Sequence, residues 1–164
     1  MGNFFTETLV HDPRFHSTEM LKDPALLEPN TRRKVEAIIA DAKSGGHNLV
    51  IGETFRSQTR QQQLFDQGAT ELEHVGVHGY GGACDLWFLK PDGSVNWEAD
   101  YSVLRDLARN HNLISGLDWG QPDRPHNFRD PDHVQFCSVA DQEKLFSGEW
   151  YPPEDGSYNP FEHL

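Results

Sequence analysis

Residues 78–85, with the sequence His-Gly-Tyr-Gly-Gly-Ala-Cys-Asp, constrain the fold more than any other part of the chain. They lead into an apolar run at residues 83–89, interrupted only by Asp85, which predicts a buried strand. Positions seven residues apart point to opposite faces of an unbroken strand, so His78 and Asp85 can meet only if the chain bends between them. The three glycines of the segment permit that bend. We therefore expect a turn that brings an imidazole and a carboxylate together beside a buried strand.

The spacing of apolar residues elsewhere predicts a fold of mixed helices and strands. Helices are predicted after Asn30 or Thr31, from Ser57 to Gln67, and at residues 98–111 and 139–146. Further strands are predicted at residues 49–51 with 54–55, in a short segment that ends near Trp97, and at residues 113–119 and 133–136. The helices and strands do not alternate strictly enough for a doubly wound sheet. We predict the α+β class, with helices packed on a small, mainly antiparallel sheet.

The length of 164 residues fits one domain, and we assign residues 1–164 to it. Its core is expected at about residues 30–137, between an irregular lead-in and a C-terminal tail. The formal charge of −12 argues against nucleic acid and against an anionic membrane as partners. No segment has the length of a membrane span and the N-terminus does not resemble an export signal, so we expect synthesis in the cytoplasm.

A second segment, Asp130-Pro131-Asp132-His133, places a carboxylate three residues before a histidine that begins a predicted strand. A hydrolytic zinc site needs three nitrogen or oxygen ligands and a nearby carboxylate that takes a proton from the attacking water. His78, Asp85 and His133 can form the ligand set, and Asp130 can be the base. Two cysteines are too few for a zinc site of four thiolates. The first segment alone also fits a glycine-rich loop with an exposed histidine and a salt-bridged carboxylate.

These two motifs resemble those of the zinc peptidases that cut the stem peptides of bacterial peptidoglycan. That family, with the hedgehog/DD-peptidase fold, includes D-alanyl-D-alanine carboxypeptidases and dipeptidases and phage L-alanyl-D-glutamate endopeptidases. The motif His-x-x-Gly-x-Ala-x-Asp is met at residues 78–85, and three further stretches agree: Phe55-Arg56-Ser57 with Gln61 and Leu64, Asn96-Trp97, and Asp118-Trp119-Gly120. With Asp at position 130 and Val after His133, the resemblance is strongest to the phage endopeptidases.

The resemblance implies a role for each residue that matches a motif. His78, Asp85 and His133 would bind one zinc ion, and Asp130 would be the general acid and base in the attack of metal-bound water. Arg56 would bind a substrate carboxylate or stabilise the oxyanion, although an ordinary surface salt bridge is the alternative. The family usually has a serine where this chain has Gly76, so its hydrogen bond is absent or is made by a neighbour.

Other residues near the motifs have weaker claims. Asp132 is a rival to Asp130, but a residue next to a ligand on a strand is expected to point to the other side. His74 and His126 are interpreted as exposed loop residues, and Trp119 either lines the cleft or packs in the core. Cys84 and Cys137 are expected to be buried free thiols, with a disulfide as the alternative.

The resemblance implies a metallopeptidase that acts on peptidoglycan stem peptides at the cell wall, and we expect it to act as a monomer. The bond cut is either L-Ala-D-Glu or D-Ala-D-Ala. Two alternatives remain open: a metal-binding recognition module without catalysis, and a dipeptidase that acts on a substrate outside the wall.

Overall fold

The computed structural model describes residues 2–70, 76–121, 124–125 and 129–164 of the chain. Its α-helices are α1 (Phe4–Glu7), α2 (Pro29–Ser44), α3 (Gln58–Asp66), α4 (Ser102–Asn110) and α5 (Val139–Ser147). Its strands are β1 (Leu49–Ile51), β2 (Ala83–Phe88), β3 (Ile114–Gly116), β4 (Gly120–Gln121), β5 (Arg124–Pro125) and β6 (Asp130–Gln135). Short 3-10 turns lie at Leu9–His11, Pro24–Leu26, Val77–Tyr80 and Pro160–Glu162.

The main sheet has four strands in the order β1-β2-β6-β3, and every neighbouring pair is antiparallel. Strands β4 and β5 pair with each other in a separate two-stranded sheet. Together with helices that share its core, the main sheet confirms the predicted α+β class. No helix in the described part of the chain is long and apolar enough to cross a membrane.

Helix α2 begins two or three residues earlier than the sequence pattern predicts. The carboxylate of Glu28 accepts hydrogen bonds from the backbone N–H groups of Asn30 and Thr31, so Glu28 is the N-cap. Pro29 follows it at the first helical position, where a missing N–H has no cost. A longer acidic side chain therefore takes the capping role that the sequence pattern predicts for Asn30 or Thr31. Helix α3, in contrast, is capped by Ser57 as predicted.

Helix α4 is shorter than the predicted helix at residues 98–111 because two side chains hold the preceding residues in turns. The side-chain oxygen of Asn96 accepts a hydrogen bond from the backbone N–H of Glu98. The carboxylate of Asp100 accepts one from the backbone N–H of Ser102 in the same way. The strand expected to end near Trp97 is reduced to an isolated bridge between Leu89 and Val95.

The N-terminal lead-in is packed against the region that carries Arg56. A small cluster of fully buried side chains joins Leu9 and Leu26 to Phe55, and partly buried aromatic residues of the lead-in surround it. The Thr54 backbone N–H donates to the carbonyl of Leu21 at 2.7 Å. Residues before the predicted core at residue 30 thus hold the turn that connects β1 to α3.

Candidate metal centre and active site

The bend predicted between His78 and Asp85 is present. His78 lies in the 3-10 turn Val77–Tyr80, and Gly81 closes this turn with a left-handed φ of 74° that a side chain would strain. Asp85 follows on β2, and its Oδ1 atom lies 3.3 Å from the Nε2 atom of His78. The turn therefore joins two side chains that an unbroken strand would separate.

His133 reaches the same place through strand pairing. Residues Asp85 and His133 are direct partners in the antiparallel pair β2–β6, so their side chains project from the same face of the sheet. The Nδ1 atom of His133 lies 3.6 Å from Asp85 Oδ1. One potential ligand atom from each of His78, Asp85 and His133 lies within 4.8 Å of the other two.

The donor atoms of this group suit a zinc ion. All three residues are buried, and neither His78 Nε2 nor Asp85 Oδ1 has a hydrogen-bond partner among the described residues. Buried polar atoms normally have partners, so an orphaned nitrogen and oxygen that face each other indicate a ligand between them. The other ring nitrogen of His78 lies 2.7 Å from the carbonyl oxygen of Thr54, to which it can only donate. In a neutral ring that donates from Nδ1, the lone pair lies on Nε2, the nitrogen that faces Asp85 and that a metal would bind.

Charge within the group favours an ionised carboxylate. Burial raises the pKa of Asp85, but the two neighbouring histidines outweigh burial and hold that pKa well below its usual range. Burial lowers the pKa of His133, but Asp85, Asp130 and Gln135 together outweigh burial and raise it. Asp85 is therefore a carboxylate at neutral pH and can be an anionic ligand.

A bulge in β6 places two more carboxylates beside the ligand group. Ser115 of β3 pairs with Val134, but the next residue, Gly116, pairs with Asp130, so residues 131–133 have no partner in β3. One carboxylate oxygen from each of Asp85, Asp130 and Asp132 lies within 4.8 Å of the others. The expectation that Asp132 points away is wrong, because side chains do not alternate between faces through the bulge.

Asp132 is the more enclosed of the two carboxylates contributed by the bulge. Its Oδ2 atom accepts a hydrogen bond from the indole N–H of Trp87 at 2.8 Å. Burial raises the pKa of Asp132 well above its usual range, and the neighbouring Asp130 and Asp85 raise it further. Asp132 therefore binds a proton more readily than an ordinary carboxyl group does, and Asp130 is its hydrogen-bond partner.

Arg56 stands beside the ligand group and is fixed by a buried acid. Its Nη2 atom lies 3.9 Å from Asp85 Oδ2. The same guanidinium donates from Nη2 and Nε to one oxygen of Glu53, at 2.6 and 3.1 Å, and Arg60 donates to the other oxygen at 2.7 Å. Glu53 is only 1% exposed, so the surface salt bridge considered for Arg56 does not describe it. Two arginines on one carboxylate leave a net positive charge next to the metal centre.

Comparison with known proteins identifies the family. The chain is 34% identical over 134 residues to the peptidoglycan L-alanyl-D-glutamate endopeptidase CwlK of Bacillus subtilis (strain 168), a match that covers 68% of this chain and 80% of that protein. The chain belongs to this endopeptidase family. The resemblance found in the motifs is therefore confirmed. No protein-family model matches the chain.

Solved structures of peptidoglycan carboxypeptidases share the fold of this family member. The LD-carboxypeptidase LdcB superposes with a TM-score of 0.53 at 17% identity, over 75% of this chain and 64% of that one. The chain thus spans slightly less than two thirds of LdcB. A mutant of the vancomycin-resistance D,D-pentapeptidase VanY, solved in complex with Zn(II), superposes with a TM-score of 0.53 at 15% identity, over 74% and 79% of the two chains.

The five site residues predicted from sequence lie together in the structure. His78, Asp85 and His133 form the ligand group, with Arg56 and Asp130 next to it. Their individual roles stay predictions. His74 and His126, which we interpreted as loop histidines, lie outside the described residues.

The structure also gives the positions of Trp119 and the two cysteines, for which the sequence left alternatives. The ring of Trp119 lies 4.9 Å from that of His133, so Trp119 lines the site. Cys84 and Cys137 are buried and free, as expected.

Three residues around the site were missed by sequence reasoning. Glu53 has a signal in the sequence, because it is a lone acid three residues before Arg56. Gln135 also has one, since it follows His133 by two positions on a strand and so shares its face. Trp87 has none, because its contact with Asp132 depends on the bulge.

Proposed function

We propose that this chain is a zinc endopeptidase that hydrolyses the L-Ala-D-Glu amide in peptidoglycan stem peptides. The orphaned pair of buried atoms, His78 Nε2 and Asp85 Oδ1, is the observation that carries the metal site. Similarity to CwlK over most of both chains supports the bond. The zinc ion in the VanY structure, which has the same fold, supports the choice of metal. His78, Asp85 and His133 would hold one ion in this proposal.

The residues around the ligand group have the properties that amide hydrolysis needs. A zinc ion held by these residues would polarise the amide carbonyl and make the attacking water more acidic. Asp130 takes a proton from that water as the new C–O bond forms, and gives it to the leaving nitrogen as the C–N bond breaks. Its position beside Asp85 supports this role. Arg56, held by Glu53, provides positive charge for a substrate carboxylate or for the oxygen on which negative charge develops.

The proposed site also bears on where and how the enzyme acts. A peptidoglycan substrate implies action at the cell wall. All five residues of the proposed site come from one chain, which supports a monomer as the active form. The formal net charge of −12 gives no attraction to anionic wall polymers, so in this proposal the binding energy of this domain comes from its cleft.

The test is to load the purified chain with zinc and incubate it with two synthetic stem peptides, one containing L-Ala-D-Glu and one ending in D-Ala-D-Ala. We expect about one zinc per chain and mass-spectrometric detection of cleavage between L-Ala and D-Glu only. The Asp130→Ala variant should keep the metal and lose cleavage.

Each other outcome has a definite meaning for the proposal. Cleavage of the D-Ala-D-Ala peptide alone would replace the proposed bond with that of a carboxypeptidase. Zinc binding without cleavage of either peptide would indicate a recognition module. Full turnover by Asp130→Ala would remove Asp130 from the mechanism.

A further inference from the structure

Gln135 makes an unusually complete set of hydrogen bonds beneath the candidate metal centre. It lies on β6 and is 1% exposed. Its side-chain oxygen Oε1 is 2.8 Å from His133 Nε2. Its side-chain nitrogen Nε2 donates to the carbonyl oxygen of Cys137 and to Oε1 of Gln142, both at 2.8 Å. Both hydrogens of the amide and one lone pair of its oxygen are therefore used.

These contacts determine which way the Gln135 amide faces. The carbonyl oxygen of Cys137 can only accept a hydrogen bond, so the group that faces it must be the amide nitrogen. The amide oxygen then faces His133 and can only accept. It follows that His133 carries a proton on Nε2. In the neutral ring, which is the form that can bind a metal, the lone pair then lies on Nδ1, the nitrogen 3.6 Å from Asp85 Oδ1.

We propose that Gln135 is a positioning residue that fixes His133 in the tautomer and orientation in which Nδ1 is the metal ligand. This inference rests on the proposed zinc site. The two histidines are then fixed by different means: a backbone carbonyl, that of Thr54, holds His78, and a side chain holds His133. Only the contact between His133 and Gln135 can be removed by substituting the partner residue.

The order of metal affinity among three variants tests this role. Gln135→Leu removes the acceptor, and zinc affinity measured by chelator competition should fall about 10- to 100-fold. Gln135→Glu keeps an oxygen that accepts from His133 Nε2, so its affinity should stay close to that of the wild type. Gln142→Leu is the matched control, because the Cys137 carbonyl still orients the amide, and its loss should be smaller than that of Gln135→Leu.

A purely structural role for Gln135 predicts the reverse order. An uncharged leucine is tolerated in a buried position better than a carboxylate that faces the two acceptor oxygens of Cys137 and Gln142. Affinity in Gln135→Leu equal to the wild type, or lower in Gln135→Glu than in Gln135→Leu, would overturn the proposal.

A spectroscopic measurement on the wild type covers the case in which a variant does not fold. In the zinc-loaded protein, ¹⁵N NMR of the histidine side chains should show His133 protonated at Nε2 and ligated through Nδ1. A proton on Nδ1 would overturn the proposal without any substitution. Failure of the wild type to bind zinc at all would instead contradict the proposed function.

Discussion

The two sides of the candidate site are built in different ways. On the ligand side, Asp85 and His133 are direct partners in a regular antiparallel pair. On the acid side, Asp130 and Asp132 lie in or beside a bulge where three residues of β6 have no partner in β3. Regular pairing places side chains by simple counting, whereas a bulge changes which side chains point to a given face. The ligand side therefore agrees with the spacing of its residues in the sequence, whereas on the acid side the direction of Asp132 does not.

The largest expected effect is on kcat, and it distinguishes Asp130 from Asp132. Asp130→Asn should lower kcat about 10²- to 10⁴-fold, because the proposed acid and base is lost while its shape is kept. Asp132→Asn should lower kcat far less, since an asparagine oxygen can still accept from the Trp87 indole N–H. Turnover of an L-Ala-D-Glu peptide and zinc content, measured on the same samples, compare the two variants.

Both variants should keep their zinc, which serves as the control for an intact ligand side. If Asp132→Asn were the more damaging of the two, the acid and base would be Asp132. The preference for Asp130, which depends on its spacing from His133, would then be wrong.

A glycine on each side allows the two sides to be disturbed separately. Gly116 lies against the backbone of Asp130, and a Cβ added there would come within 2.0 Å of the Asp130 carbonyl oxygen. Gly116→Ala should displace Asp130 and lower kcat about 10²-fold while zinc affinity changes little. Gly81→Ala acts on the turn that carries His78, where a φ of 74° and a contact of 2.9 Å with Leu9 leave no room for a side chain. It should weaken zinc binding.

Zinc affinity and kcat, measured for both alanine variants, give a two-by-two comparison. Thermal unfolding of the metal-free variants shows how much of each effect is general destabilisation. Loss of zinc by Gly116→Ala to the same extent as by Gly81→Ala would show that the two sides are not independent.

The parts of the molecule predicted from sequence are those that depend on local spacing. The glycines between His78 and Asp85 indicated the bend, and the strands predicted at residues 83–89 and 133–136 correspond to β2 and β6, although their pairing was not predicted. The α+β class followed from the order of the helices and strands. In each case a period of two or 3.6 residues, or a glycine, gives direct information about the backbone.

The parts that could not be predicted depend on contacts between distant segments. The direction of Asp132 depends on where β3 stops following β6, which no local pattern in either strand reveals. The packing of Leu9 and Leu26 against Phe55 likewise joins residues that are far apart in sequence. Such contacts decide how Arg56 and the acids are held, even though the sequence motifs single out these residues.

The smallest expected effect is on the pH dependence of stability. The comparison is between Asp132, whose pKa is raised, and an acid whose pKa is lowered. Because the folded-state pKa of Asp132 is raised, its unfolded form releases a proton above about pH 4 while its folded form retains one. Stability is therefore lost as pH rises from about 4 toward the folded-state pKa, and Asp132→Asn should remove that loss. Urea unfolding of the metal-free proteins should show Asp132→Asn gaining at least about 1 kcal/mol on the wild type between pH 4 and pH 7.

The effect of Asp12 on the pH dependence of stability has the opposite sign, because its hydrogen bond with Arg14 lowers its pKa. The stability that Asp12 contributes is present above its unfolded pKa of about 4 and lost as pH falls. Relative to the wild type, Asp12→Asn should therefore become less stable as pH rises. Parallel trends in the two variants would mean that the bulge does not enclose Asp132 as tightly as its contact with Trp87 indicates, and that the acid side of the site is open to water.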